Sequence, residues 1–594
     1  VLLSGENSSG RMTTPGMIVG SLPYMAPEQL FGEADDPRTD LYALGALLFE
    51  MTTGQCPFVK DRPESLMFAI INTTAPTIKS LRADAPDALD RLITECLKKK
   101  AAQRPESAGV VAQALRGIRD GVPSGVLPLQ ARDVISSVAV LPLRNLSNDS
   151  SQEYFADGMT ESIISDLARI KALRVISRTS VMSYKGSAKS LPDIARDLNV
   201  EAILEGSALL VGNRVRVSVQ LVSARTDETL WSDRYDRDLE DVLSLQSELA
   251  EKVAKEIAIQ LSPGEETQLA KREAVNPEAH LNYLKARHVL TSGSMDAAQA
   301  AQKYVKKALE IDPNYALAWC ALADSITWAA IRGILEPVSA MKEAIDAVNR
   351  ALELDPNLAD GHASKGLILT HSGEMAAGLR SLQRAVELNP GHSGAWNLLG
   401  RALYSFERFG ESLAAIDKSV ALDPVSMLAY TGSGDAYYFA RQYEKSVLNY
   451  RLALELDRRF DGAHSGLARS LEALGQFDEA RAEYEECRRL SDAVTVADFG
   501  LAHLAQAMGN EAEARRILDE MTEARKVRVI SAFSIATLHA SLGDVDDAFE
   551  WLETGVKEKS PSLLLLRVHP RLDPIRNDPR YWPLVEKVGL GDQT

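Results

Sequence analysis

The sequence predicts a multidomain, mainly α-helical chain with one small α/β domain of mixed sheet and an α-solenoid behind it. Three observations predict this class. The 594 residues exceed what a single core holds and call for three or four domains. From Gly366 onward a small residue recurs every 34 positions, at Gly366, Gly400, Gly434, Ala468, Ala502 and Ala536, the period of a repeated helix pair. Ahead of that array, 202–211 and 214–223 alternate apolar and polar around Gly212-Asn213, the pattern of a two-residue hairpin.

Composition narrows the function classes. The net charge of −17 argues against a general nucleic-acid binder, whose footprint is basic. Cys56, Cys96, Cys320 and Cys487 lie far apart and form no Cys-x-x-Cys, which fits reduced thiols in a cytoplasmic protein. The apolar run from Leu41 to Phe49 is far short of the ~20 residues a membrane span needs, and no signal peptide precedes the first domain, so the chain is expected to be soluble. Residue 1 is Val, and the expectation is a fragment whose upstream part is missing.

Residues 1–120 read as a helical module. Pro27 and Glu28 suit the first turn of a short helix, Pro for its fixed φ and Glu for the positive end of the dipole. Thr39-Asp40 opens a second helix that is apolar on every side, from Leu41 through Met51, and so is expected to be buried all round until Gly54 ends it. Four motifs follow in order: Gly20 to Leu30, Asp40-Leu41-Tyr42-Ala43-Leu44-Gly45, Thr53-Gly54-Gln55-Cys56-Pro57-Phe58 and Gln103-Arg104-Pro105. Together they resemble the activation-segment end, central helix, Thr-Gly-x-x-Pro-Phe turn and late Arg-Pro motif of a bacterial-type Ser/Thr protein kinase large lobe. Lys99-Lys100-Ala101 departs from that family's usual lead-in to the Arg.

The resemblance implies that Glu28 pairs with Arg104 and that Asp40 braces the catalytic loop. It places Ser21 where the family contacts the catalytic Asp. Thr13 and Thr14 read either as activation-loop phosphosites or as part of a plain Ser/Thr-rich loop. Phosphoryl transfer itself needs a Gly-rich loop, a Lys–Glu pair, His-Arg-Asp and Asp-Phe-Gly, with ATP and Mg²⁺. None of these parts is found here, and the first histidine is His280. No catalytic, cofactor-binding or metal residue is therefore assigned in this chain, while ATP and Mg are implied for the complete kinase.

A linker at 121–133, marked by Gly121-Val122-Pro123-Ser124-Gly125, leads into an α/β module at 134–262. Val138 to Asn145, Tyr154-Phe155-Ala156-Asp157-Gly158, Val175 to Ser180 and Leu204-Glu205-Gly206-Ser207 resemble the TolB amino-terminal-like domain of bacterial signalling proteins, which implies sensing or docking. Asp157-Gly158 and Ser177-Arg178-Thr179-Ser180 read as capped loops rather than as an anion site. Asp233 to Arg237 reads as a solvated charge run.

Residues 276–562 carry the 34-residue period, with Pro356, Pro390 and Pro424 ending successive second helices. They resemble about eight tetratricopeptide repeats, and 563–594 departs from the period as a C-terminal cap. By that resemblance, first helices line a concave groove for protein partners, suggesting Asn397, Arg401, Tyr404, Asp435, Tyr438 and Arg469. All nine histidines fall in this part without a ligand spacing. Two functions remain: a Ser/Thr protein kinase signalling protein with regulatory modules, or a non-catalytic scaffold working through the solenoid. Residues 276–594 are expected to fold independently, and 1–120 alone are expected to be partly unfolded.

Overall fold

The computed structural model describes residues 22–30, 36–60, 62–105, 107–119, 135–147, 149–224, 227–257, 275–290, 295–331, 335–490, 495–527 and 530–591. The chain forms two compact units, residues 1–131 and 132–594.

Among the described residues of the first unit, six helices follow one another: α1 (Pro27–Leu30), α2 (Arg38–Thr53), α3 (Pro63–Asn72), α4 (Ile78–Leu81), α5 (Asp87–Cys96) and α6 (Ala108–Arg119). Gly54 ends α2 with φ of 80°, a left-handed cap that a side chain would strain. Tyr42, Ala46 and Phe49 of α2 pack with Met25, Ala26, Ile70 and Ile93 in one core. At Gly45 a Cβ would come 2.6 Å from Cys96 Cβ, so the glycine lets α2 and α5 cross closely. Burial of α2 on every side does not hold, because Leu47 is 44% and Met51 73% exposed. Tyr42, Ala46 and Phe49 meet one core and Leu41 and Leu44 a second with Leu92, Cys96 and Val111, and Leu47 and Met51 belong to neither.

The second unit opens with a sheet of order β3-β1-β4-β5-β6, in which β2 also pairs with β4. Its strands are β1 (Ser137–Val140), β2 (Arg144–Asn145), β3 (Arg174–Val175), β4 (Ala202–Val211), β5 (Arg214–Ser223) and β6 (Thr229–Asp238). β1 lies parallel to β3 and β4, whereas β4, β5 and β6 run antiparallel, giving a mixed sheet. Val211 pairs with Arg214 across the Gly212-Asn213 turn, where Gly212 takes φ of 58°. The charge run of 233–237 lies on the outer strand β6, where Asp233, Asp236 and Arg237 stay part-exposed. Asp236 receives Arg214 at 2.7 Å and Arg216 at 2.8 Å, and Asp233 receives Lys252 at 3.0 Å. Charged side chains on an edge strand discourage further pairing. Helix α7 (Glu153–Ala168) and the closing helix Val242–Glu256 bury Met159, Ile163, Leu245 and Leu249 in the core with Val138, Leu204 and Val217 of the sheet.

From Pro277 to Lys557 run eight helix pairs among the described residues. Their first helices are Pro277–Leu290, Ala316–Ile331, Ala359–His371, Ser393–Ser405, Met427–Phe439, Asp461–Ala473, Thr495–Ala507 and Ala532–Leu542. The small-residue period works as a crossing device. A Cβ at Gly366 would sit 2.5 Å from Leu382 Cγ, and one at Gly434 would sit 2.8 Å from the Tyr450 ring. Second helices end at Leu354, Leu388 and Leu422, two residues before Pro356, Pro390 and Pro424. Among the described residues, first helices touch one another from pair to pair, whereas no comparable contact joins successive second helices, so the first helices form the inner, concave face.

The α/β domain is seated on this array. Leu284 of the first solenoid helix belongs to the α/β core and fills the space that a Cβ on Gly158 would occupy. Separating 276–594 from the α/β domain would bring that leucine into water.

Candidate functional sites: the lobe anchor and the solenoid groove

The kinase-like motifs meet at Arg104. Its side chain is fully buried, and its guanidinium fork grips both oxygens of Glu28, at 2.5 and 2.8 Å. The remaining donors go to the carbonyls of Lys98 (2.8 Å), Lys99 (3.0 Å) and Arg38 (3.0 Å), and the plane lies 4.9 Å from the Tyr42 ring centroid. Glu28 also accepts from Thr39 Oγ1 at 2.9 Å. Burial opposes ionisation of Glu28, yet Arg104, backbone and Thr39 donors together hold its carboxyl below the usual carboxylate range. The pair thus ties α1 to the start of α2 and to the turn before α6. An arginine suits this position because a planar fork satisfies a carboxylate and several carbonyls at once.

Asp40 lies exposed in the first turn of α2. Thr13, Thr14 and Ser21 lie outside the described residues. Lys99 is the residue that sequence reasoning passed over. Its ammonium donates to the carbonyls of Ala69 (3.2 Å) and Ile70 (2.6 Å) near the end of α3 and sits 4.2 Å over the Phe58 ring. Burial, with Arg104 nearby, pushes its pKa well down. Its position next to the Arg-Pro motif was the available signal, because a helix C-terminus needs a donor for its free carbonyls.

In the second unit, the two stretches expected as capped loops are helical, Asp157-Gly158 inside α7 and 178–180 inside a short helix, and both face the solenoid. Ser177 caps the short helix α8 (Arg178–Met182), Ser180 Oγ donates to Asp423 of the solenoid, and Ser177 N donates to Leu422 O at 3.0 Å. Asp157 is buried and receives Lys185 Nζ at 2.5 Å, with His288 Nδ1 at 2.9 Å. Arg287 donates from Nε to Glu161 at 2.9 Å, and Glu161 also pairs with Arg178 at 3.2 Å. These acids and bases therefore join the α/β domain to the solenoid.

All six groove candidates lie on first helices of three successive pairs. Arg469 donates to Asp435 at 2.8 Å and lies 4.2 Å over the Tyr438 ring, while Tyr450 donates to the same carboxylate at 2.7 Å. Asn397 donates to Leu428 O at 3.3 Å, which links one first helix to the next. Arg401 is exposed, whereas Tyr404 and Tyr438 are buried. What covers these tyrosines is the chain's own C-terminal segment. Val568 joins Tyr404, Tyr438 and Phe439 in one apolar cluster, and the His569 ring meets Tyr438 and Phe533 edge-on and Phe439 at a tilt. Residues 563–590 thus do more than close the last repeat.

Among the described residues, His539, Asp544 and Asp547 bring possible metal ligands within 4.8 Å of one another. Asp544 is already held by both terminal nitrogens of Arg515, at 2.8 and 3.1 Å, so its charge is neutralised without an ion.

Known proteins match this layout in segments. Residues 5–115 match the protein kinase domain model. Residues 134–252 match the second domain of HilA/YgeH-like transcriptional regulators. Tetratricopeptide repeat models match 365–426, 462–486 and 499–562. A Rhizobium meliloti protein provisionally named adenylate cyclase 3 is 33% identical over 39% of this chain and 40% of its own length. The DNA damage-responsive serine/threonine-protein kinase RqkA of Deinococcus radiodurans is 36% identical over 19% of this chain and 17% of its own. The serine/threonine-protein kinase PksC of Streptomyces coelicolor is 37% identical over 16% of this chain and 17% of its own. The chain therefore spans well under half the length of these relatives. It joins part of a protein kinase domain, an α/β domain of mixed sheet and an array of tetratricopeptide repeats.

Proposed function

We propose that this chain serves Ser/Thr protein kinase signalling. In this reading, residues 22–119 anchor the activation segment of a kinase large lobe, and the second unit regulates it and docks protein partners. The observation that carries the proposal is the forked Glu28–Arg104 pair, which brings kinase-like motifs 76 residues apart into one buried contact. In the complete kinase, ATP with Mg²⁺ would supply the phosphoryl group, and no residue of this chain is assigned to hold either. The α/β domain would act as a TolB-like sensing or docking module; its seat on the solenoid supports a regulatory role. No helix among the described residues is long and apolar enough to cross a membrane, and the four free cysteines suit a reducing compartment. We place the protein in the cytoplasm, with protein rather than nucleic-acid partners.

The alternative is a non-catalytic scaffold that works through the solenoid, in which residues 22–119 are a kinase-lobe remnant. Phosphate transfer from γ-labelled ATP with Mg²⁺ to serine or threonine, measured on the complete gene product and on this chain, separates the two. Transfer by the complete product that is lost in Glu28→Ala supports the kinase reading. No transfer by either, with partner capture through 276–594 in the full chain intact, supports the scaffold.

A further inference from the structure

The chain's own C-terminal segment packs on first helices of the solenoid. Beyond Lys557 come two short 3₁₀ turns, Pro561–Leu565 and Pro570–Ile575, and a helix, Tyr581–Lys587; the first turn meets the first helix Ala359–His371 and the second meets Ala532–Leu542. Leu566 and Leu572 are fully buried, and they pack with Leu399, Leu403, Phe406 and Phe533 from first helices and the turn after one of them. Val568 inserts among Tyr404, Tyr438 and Phe439.

Charge is complementary along the same line. Arg571 donates to Glu472 at 2.7 Å and to Tyr484 OH at 3.0 Å, with both partners of the ion pair about 15% exposed. Arg567 meets Glu407 at 3.0 Å, and Asp573 receives Arg441 at 2.8 Å nearer the rim. Central apolar anchors flanked by two largely desolvated arginines, Arg567 and Arg571, with a more exposed ion pair at the rim, form the anatomy of a protein–peptide interface. The helix before the segment ends at Lys557, and Lys559 turns the chain with φ of 53°. A connection that short holds the segment at a millimolar effective concentration, which suppresses competitors in trans.

We propose that the first-helix face from Ser393 to Leu542 is a peptide-binding groove whose resident occupant is residues 561–591. The partner that exchanges with it is a protein segment of the same chemistry, with arginines set between leucine-like anchors at the spacing of Leu566, Arg567, Arg571 and Leu572. This rests on the reading of the solenoid as the docking module and adds which chemistry it accepts and what holds it closed.

The test uses the full chain with a protease site inserted between Lys559 and Ser560. After cleavage, a fluorescein-labelled peptide of residues 561–591 is titrated in, with circular dichroism and size exclusion followed in parallel. The expected result is that the cleaved fragment stays bound, exchanges for the labelled peptide and leaves helicity unchanged. The uncleaved chain should bind at least tenfold more weakly, and Glu472→Ala should weaken binding at least tenfold in the cleaved protein. Loss of helicity on exchange would make the segment a core element, and equal binding before and after cleavage would place the peptide elsewhere. Either result overturns the proposal. A stable dimer of the uncleaved chain would overturn the partner assignment in favour of a second copy. None of these readouts needs kinase activity or a captured partner, so the proposed function can fail separately.

Discussion

Replacing Arg104 by Ala isolates the kinase-like anchor. The guanidinium is fully buried and makes five hydrogen bonds: two to Glu28 and one each to the carbonyls of Lys98, Lys99 and Arg38. The variant strands a carboxylate whose side chain is only 12% exposed, together with three carbonyls that no longer have this donor. Breaking one side of a buried ion pair costs about 3–5 kcal/mol. At about 1.4 kcal/mol per power of ten, amide exchange in 41–49 of α2 should rise by roughly two to three and a half powers of ten. Hydrogen exchange with mass spectrometry on the full chain reads this locally, and peptides from 427–456 serve as the internal control. Arg104→Lys keeps the charge without the fork and should lose less. Protection of 41–49 within tenfold of wild type in Arg104→Ala would refute the argument that this pair holds the lobe together.

Three further outcomes follow from packing and titration. Leu284→Ala empties a site 2% exposed inside the α/β core and should cost about 2–5 kcal/mol, seen as faster exchange in both 153–168 and 277–290. Gly366→Ala places a Cβ 2.5 Å from Leu382 Cγ and 3.1 Å from Gly378 O, and should lower the urea midpoint by the equivalent of about 1–3 kcal/mol; Gly410→Ala, with open space around it, should not. Burial depresses the pKa of His280 to about 4 and those of His503 and His569 well below the ordinary value, helped at His569 by Arg469, Arg571, Arg441 and Arg576. Such groups stay neutral when folded, while the unfolded chain takes up protons below about pH 6.5, so stability falls with pH from there downward. The loss is about 1.4 kcal/mol per pH unit for each histidine. Urea midpoints at pH 7, 6 and 5 should show this slope, reduced by one proton in His569→Gln.

The 34-residue period, the Pro stops and the hairpin at Gly212-Asn213 were legible from the chain because each depends on spacing or residue type, whereas the Glu28–Arg104 pair was implied by the resemblance to kinase motifs. A helix crossing needs a small residue whatever surrounds it, and an αL turn needs a residue that tolerates positive φ. Lys99 escaped notice because its role depends on which carbonyls α3 brings near it. The anion-site candidates around Asp157 and Ser177 gained their meaning only when the solenoid supplied His288, Leu422 and Asp423 as partners. Sequence alone thus determined the elements, their order and the motif pair that names the first module. Tertiary structure alone decided that the α/β domain and solenoid share a core, and that 563–590 lies over Tyr404 and Tyr438. Local spacing encodes what a residue contributes to its own element. Which surface that element covers depends on contacts between residues more than a hundred positions apart, and no periodicity records those.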